Sequence, residues 1–343
     1  ARGLGGPARD VVSLRGCAAR DAGREPARGR RPGVGLLNPT SAGGGASTRP
    51  RRRGIALAAY LGMPLLAGCV AIPATDELIR YTDAGLSRGE GGVCGEADRS
   101  SRPGKDLPAP MLADRFGLLS WNVAKARDAA WAEDFVRLGA SRDLILLQEA
   151  HLTPAFLDLL GEHDYRWTMV RAFDLNGAEA GVLTASKVPA TQGCLVRTAE
   201  PLVRVPKSVL ITRYRLAGAP LDLLVANLHG VNFSLGTETY RRQLENVAAT
   251  LARHPGPAIL AGDFNTWSRA RREILYEITE SLGLRDLPLA QDRRSRVWGQ
   301  ALDHVFYRGL EVVAADSLVV SSSDHHPLRV TFRFRHNALE ANP

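Results

Sequence analysis

Long apolar runs are what this 343-residue chain lacks most. The most sustained one, Ile55–Leu66, falls short of the roughly 20 residues a bilayer-spanning helix needs. A protein of several membrane-spanning helices is therefore excluded. Aromatic residues make up only 6% and lie scattered, with no aromatic hairpin for membrane entry evident in the sequence. Cysteine is scarce, at four. Net positive charge is also missing from most of the chain, despite a total of +8. Residues 1–53 hold twelve Arg against three acids, a net of +9, which leaves −1 for residues 54–343. The basic footprint of a nucleic-acid-binding domain is absent from that remainder.

What is present divides the chain. Residues 1–50 are rich in Gly, Arg, Ala and Pro without apolar periodicity. Such a segment buries too little to offset its ordering entropy, so it is expected to be disordered, or an over-extended N-terminal reading. Residues 51–69 look like an export signal or membrane anchor: Arg51–Arg53, the apolar stretch, then Leu66-Ala67-Gly68-Cys69. Leu-Ala-Gly-Cys resembles a bacterial lipobox, which makes Cys69 the candidate lipidated residue. That places the protein at the bacterial cell envelope, facing the periplasm or exterior, or else anchored in the inner membrane. Cys94 and Cys194 could pair in an oxidising compartment, or remain two unrelated thiols. Residues 70–111, with many Gly, Pro and charged residues, are expected to form a flexible linker. A domain follows over 112–336, and 337–343 form a tail.

Within the domain, short apolar runs dominate. The spacing predicts strands at Phe116–Asn122, Leu144–Gln148, Gly181–Ala185, Val209–Leu216, Leu221–Asn227, Ala258–Ala261, Leu302–Tyr307, Val312–Leu318 and Leu328–Phe334. Helices fit Ala129–Leu138, Pro154–Leu160, Thr237–Arg253 and Arg269–Ser281, the last behind Ser268 as its N-cap. Consecutive strands outnumber helices, which argues for two packed sheets with helices outside.

The chemistry gathers at the ends of those strands. In "AILAGDFNTWS", an apolar run ends at Gly262, and Asp263 and Asn265 then stand two apart. In extended chain, positions i and i+2 share a face. A turn cap would explain that pair alone. However, other apolar runs also begin or end beside Asn122, Glu149, His229, Asp303, and the pair Asp324–His325. Together these acids, amides and imidazoles suggest one convergent site.

The ordered set resembles the endonuclease/exonuclease/phosphatase superfamily. The residues that carry the match are Trp121-Asn122, Gln148-Glu149, Asn227-Leu228-His229, Gly262-Asp263-Phe264-Asn265, Asp303 and Ser323-Asp324-His325-His326-Pro327. "VNFSLG", "WSRARR" and "VFYRGL" are further similar to a little-characterised bacterial branch. The resemblance implies an α/β (α+β) protein, a DNase I-like four-layer α-β-β-α sandwich of two mixed sheets. It also implies a metal-dependent phosphoesterase that uses Mg²⁺ or Mn²⁺, whose hard charge favours oxygen ligands. By that resemblance Glu149 is the metal carboxylate, with Asn122 beside it and Asp324 opposite. Asp263 orients or deprotonates the attacking water, Asn265 holds a phosphate oxygen or the nucleophile, and His229 donates to the phosphoryl group. His325, paired with Asp303, acts as acid/base or cationic clamp.

Some features fit less directly. His304 and His326 double the motif histidines and read as supporting or surface imidazoles, with a second metal as the sharper alternative. Arg269, Arg271 and Arg272 follow the Asp263 loop and either solubilise a helix face or grip a phosphate. Ser323, Asp324 and His325 are contiguous and cannot form a serine-hydrolase relay. The substrate the resemblance implies is a phosphodiester or phosphomonoester, nucleic acid or phospholipid, and the protein is expected to be a monomer. The rival reading is a silent envelope lipoprotein that uses the fold only to bind.

Overall fold

Period-two alternation along β4 (Phe116–Asn122) sets the plan of the domain. Phe116 and Leu118 face one core, while Leu119 and Trp121 face another. The computed structural model describes residues 70–92, 94, 115–203, 205–216 and 221–334. The N-terminal arm, the segment 51–69 with Cys69, and the tail 337–343 lie outside the described residues.

Before β4 come β1 (Val70–Ala71), β2 (Glu77–Thr82) and β3 (Gly85–Glu90). After it follow α1 (Trp131–Gly139), β5 (Leu144–His151), α2 (Pro154–Glu162), β6 (Arg166–Leu175) and β7 (Ala178–Ser186). Next are β8 (Gln192–Ala199), β9 (Pro206–Tyr214), β10 (Leu223–His229), α3 (Glu238–Ala252), β11 (Ala258–Asp263), α4 (Arg269–Ser281) and β12 (Arg285–Asp286). The chain closes with a hairpin of β13 (Arg296–Val297) and β14 (Gln300–Ala301), then β15 (Asp303–Arg308), β16 (Leu310–Ser317) and β17 (Leu328–Phe334). One sheet runs β16-β17-β4-β5-β7-β6-β2-β3, with β1 against β6; the other runs β12-β15-β11-β10-β9-β8. Both are mixed: β4–β5 and β10–β11 are parallel pairs and their neighbours antiparallel.

Side chains sort by face into layers. Leu144, Leu146, Val225, Ile259, Val305 and Phe332 fill the space between the sheets. Trp131, Phe135 and Leu138 on α1, spaced for one helix face, pack with Phe156 of α2 on the outside of the first sheet. Tyr240, Leu244, Val247 and Leu251 on α3 join Leu275 and Ile278 of α4 outside the second. Each such apolar side chain taken from water contributes about 1.5–3 kcal/mol. The result is the α-β-β-α sandwich. Ser268 caps α4, its hydroxyl accepting from the Arg271 N–H at 3.3 Å. Among the described residues no helix is long and apolar enough to cross a membrane.

Three differences from the sequence reading have physical causes. The segment 70–111 is not all linker: Val70–Glu90 forms three strands that extend the first sheet. The expected pattern missed β6, whose Arg166 and Arg171 interrupt the apolar run. Those guanidiniums pair with Asp83, and with Asp174 and Glu77, so their charge is satisfied at the sheet surface. It also missed β8, where Cys194 is bonded to Cys94 across 100 residues of sequence.

Candidate active site

The strands that build the inter-sheet core also deliver the polar cluster, because alternation does not stop where the apolar residues do. On β10 the inward face reads Leu223, Val225, Asn227, His229; on β11 it reads Ile259, Ala261, Asp263. Asp263 lies opposite both His229 and Asp303 in the sheet register. On β4 the same rule carries Phe116 and Leu118 through Ser120 to Asn122.

Beneath the site the two sheets are bolted by amides. Asn227 Nδ2 donates to Leu183 O at 2.9 Å and Leu147 O at 3.3 Å, and Gln148 Nε2 donates to Asn227 Oδ1 at 2.6 Å. Such partners offset much of the cost of burying the amides, although Gln148 Oε1 is left without one.

Glu149 would face the outer helices if β5 alternated strictly. A bulge between Leu147 and Ala150 interrupts the pairing, and Glu149 takes φ +54°. Bulges of this kind re-aim side chains beside active sites. Here Glu149 Oε1 comes to 3.8 Å from His229 Nε2, while Oε2 pairs with the Lys125 ammonium. Lys125 sits in a turn whose three residues, Ala124–Ala126, all have positive φ, and the Ala124 N–H donates to Asn122 Oδ1 at 3.1 Å. A left-handed run without glycine is strained, as functional turns often are.

Asp263 is the hub. Its Oδ2 accepts from Asn122 Nδ2 at 3.1 Å and lies 3.6 Å from His229 Nε2 and 3.8 Å from His325 Nε2. Its Oδ1 accepts the Asn265 N–H at 2.9 Å. Gly262 makes this approach possible. Its φ is +140°, and a Cβ there would meet Leu228 O at 2.0 Å. His325 Nδ1 donates to both Asp303 oxygens, at 2.9 and 3.1 Å. Its loop is fixed by Ser323 Oγ, which donates to Asn122 O, and by Trp121 Nε1, which donates to His325 O.

These contacts separate the charge states. Burial pushes the Asp263 carboxyl up to about 6; His325 opposes the shift and Asp303 reinforces it. Burial works against the His325 imidazolium, but Asp303 and Asp263 hold its pKa well above the ordinary histidine value. His229 goes the other way. Burial and the nearby Lys207 ammonium keep it neutral, with Lys207 Nζ donating to Nε2 at 2.7 Å. Burial opposes ionisation of Glu149, yet Lys125, Lys207 and His229 hold its carboxyl far below the usual range.

The structure thus brings together Asn122, Glu149, His229, Asp263, Asn265, Asp303 and His325. It does not bring in the rest. The Asp324 side chain is exposed, its backbone carbonyl accepting from Ser295 Oγ at 2.7 Å. Arg269 and Arg272 stand exposed on α4, Arg269 paired with Glu273. Arg271 is no phosphate grip, because it is buried and donates to Val231 O, Asn265 O, Asn232 O and Ser234 Oγ. It clamps two active-site loops together. His304 is buried against Phe264 and Phe306, held neutral by burial and Arg294, and bonded to Thr266. His326 Nδ1 accepts the Val320 N–H. Lys125 and Lys207 were missed, since neither lies in a recognisable motif.

A metal fits the donor chemistry. Glu149 and the Asn122 amide offer hard oxygens beside Asp263, whereas Asp263, Asp303 and His325, whose ligand atoms lie within 4.8 Å of one another, could hold an ion only with His325 deprotonated. The ammonium against Glu149 already marks that carboxylate as a place where positive charge is favoured.

A sequence profile described as "Endonuclease/Exonuclease/phosphatase family" matches residues 119–325. The chain is 42% identical over 233 residues to a UPF0294 protein of Yersinia enterocolitica, covering 67% of this chain and 89% of that one. To a UPF0294 protein of Vibrio cholerae it is 41% identical over 223 residues, 65% of this chain and 79% of the relative. Its fold is similar to an endonuclease/exonuclease/phosphatase of Bacteroides vulgatus, with a TM-score of 0.51 at 14% identity, covering 64% of this chain and 99% of that one. It is also similar to the human Nocturnin catalytic domain solved with bound sulfate, with a TM-score of 0.50 at 17% identity, over 67% and 97% of the two chains.

Proposed function

Because the chain belongs to the endonuclease/exonuclease/phosphatase family, we propose that it is a metal-assisted phosphoesterase that hydrolyses phosphodiesters. The observation that carries this reading is the pairing, in one pocket, of a carboxyl poised near neutrality with a stabilised imidazolium, Asp263 and His325. Mg²⁺ or Mn²⁺, held by Glu149 with Asn122 beside it, would polarise a phosphoryl oxygen and offset developing negative charge.

The protein's own groups do the rest. Asp263, ionised above about pH 6, takes a proton from the attacking water. Asn122 and Asn265 fix the carboxylate for that task, the Asn122 amide donating to Oδ2 and Asn265 donating its backbone N–H to Oδ1 and its side-chain amide to Oδ2. Asp303 grips Nδ1 of His325, so that Nε2–H points toward Asp263 and the reacting phosphorus. There the imidazolium stabilises charge and protonates the leaving oxygen. Neutral His229 and the two lysines line the opposite wall. Water oxygen forms the new bond to phosphorus, the ester P–O bond breaks, and the products are a phosphomonoester and an alcohol. Attachment at the cell envelope through Cys69 is the location that suits the Leu-Ala-Gly-Cys sequence.

Purified full-length protein assayed on bis-p-nitrophenyl phosphate tests this. EDTA should abolish turnover and Mg²⁺ or Mn²⁺ restore it, while His325→Ala should lose about 10²–10⁴-fold in rate with an unchanged circular dichroism spectrum. Full activity in EDTA, or in His325→Ala, refutes the proposal.

A further inference from the structure

The end of the molecule that carries the site also carries a band of exposed apolar side chains. Leu202 and Val203 stand out of the β8–β9 turn, Phe233 and Leu235 out of the loop after β10, and Trp298 from the tip of the β13–β14 hairpin. Leu235 is 84% exposed and Trp298 73%. These loops touch in series. Glu200 accepts the Asn232 and Phe233 N–H groups, Asn232 Oδ1 accepts from Trp267 Nε1 at 3.0 Å, and the Trp267 ring meets Trp298 edge-on at 5.5 Å. The same loops hold the chemistry, since His229 precedes Asn232, Asn265 precedes Trp267, and Ser295 ties the hairpin to Asp324 O and the His326 N–H.

Trp298 makes the band hard to dismiss as ordinary surface. With Gly299 it forms the hairpin turn, at φ +49° and +79°. Asn or Gly fills such positions at little cost, whereas a bulky residue is strained there. An indole on that turn costs backbone strain and exposes apolar surface, and folding needs neither.

The make-up of the band identifies its partner. Stacking on nucleobases calls for aromatic planes backed by cations. Three of these five side chains are aliphatic, and they project from separate tips. Separate tips can each enter a fluid interface, where Trp is especially favoured at headgroup depth. The chain also joins the fold here. Val70, which follows Cys69 in sequence, pairs with Leu175 at the end of β6 nearest the Glu149 bulge, and Arg197 of β8 donates to Pro73 O at 3.1 Å. A lipid on Cys69 would leave almost no tether between bilayer and domain.

We propose that this rim docks on a phospholipid bilayer and admits a lipid headgroup phosphodiester to the pocket. The inference rests on the phosphoesterase reading and names its substrate class. Water attacks phosphorus, one P–O ester bond breaks, and a phosphomonoester and an alcohol result.

Tryptophan fluorescence of the full chain, mixed with vesicles of phosphatidylethanolamine and phosphatidylglycerol containing brominated phosphatidylcholine, tests the docking. Trp121, Trp131 and Trp167 are buried, so quenching reports the rim. Quenching is expected, should fall sharply in Trp298→Phe, where only the half-buried Trp267 is left at the rim, and should need about tenfold more lipid in Leu235→Ser. Leu235→Ser should also release lipid phosphate products about tenfold more slowly at limiting vesicles while cleaving bis-p-nitrophenyl phosphate at the unaltered rate. Unquenched wild-type fluorescence, or quenching unchanged in Trp298→Phe, overturns the docking. Quenching by a DNA or RNA oligonucleotide in place of vesicles overturns it in favour of a nucleic-acid surface. Loss of soluble-diester turnover in the wild type would instead sink the enzymatic reading beneath it.

Discussion

Asp303→Asn tests the electrostatic core of the site most directly. Both Asp303 oxygens accept from His325 Nδ1, and both residues are buried. The substitution keeps the shape and one acceptor but removes the charge that holds the imidazolium. Removing one partner of a buried ion pair costs about 3–5 kcal/mol. The lower end applies, because Asp263, 3.8 Å from Nε2, still supports the cation and is itself relieved of a repulsive neighbour. For a domain of this size about 3 kcal/mol corresponds to roughly 9 °C in Tm. The sign with pH follows from the raised His325 pKa. Stability from a histidine raised on folding is fully present below its unfolded value, near 6.5, and is lost as pH climbs through the folded value. The gap between wild type and Asp303→Asn should therefore be widest near pH 6 and narrow at higher pH. Thermal melts at several pH values read it directly, and a constant gap, or none at pH 6, would refute the assignment of charge to His325.

Two further outcomes follow from the same geometry. With Asp263 pushed up to about 6, kcat/KM should rise as pH passes upward through that value, and Asp263→Asn should erase the activity while melting higher above pH 6, since burial there opposes the charge. Arg271→Met should lower stability by about 2–4 kcal/mol by orphaning carbonyls of two loops, whereas Arg269→Gln and Arg272→Gln should leave the melt and the rate unaltered.

Much of this was legible in the sequence because a strand buried on both faces leaves a continuous apolar signature. β4, β5, β10, β11 and β15 were readable for that reason, and their polar ends carried the site with them. Strands with polar, partly exposed faces were not. β2, β3 and β8 bury few side chains, so their Arg, Glu and Gly residues read as linker or loop. Lys125 and Lys207 escaped because a lysine's role depends on where its flexible stem ends, which spacing does not encode. Glu149 was found through its motif rather than its position. Strict alternation would have turned it away from the site, and the bulge that corrects this leaves no mark in composition.

The shared face of core and pocket has a consequence for how the molecule polices itself. Were β11 to slip by one place against β10, Ala261 and Asp263 would swing outward together, and Leu260 and Gly262 would take their seats. No misaligned species could keep a sound interior and lose only its chemistry. Quality control that discards badly packed copies thereby discards inert ones too.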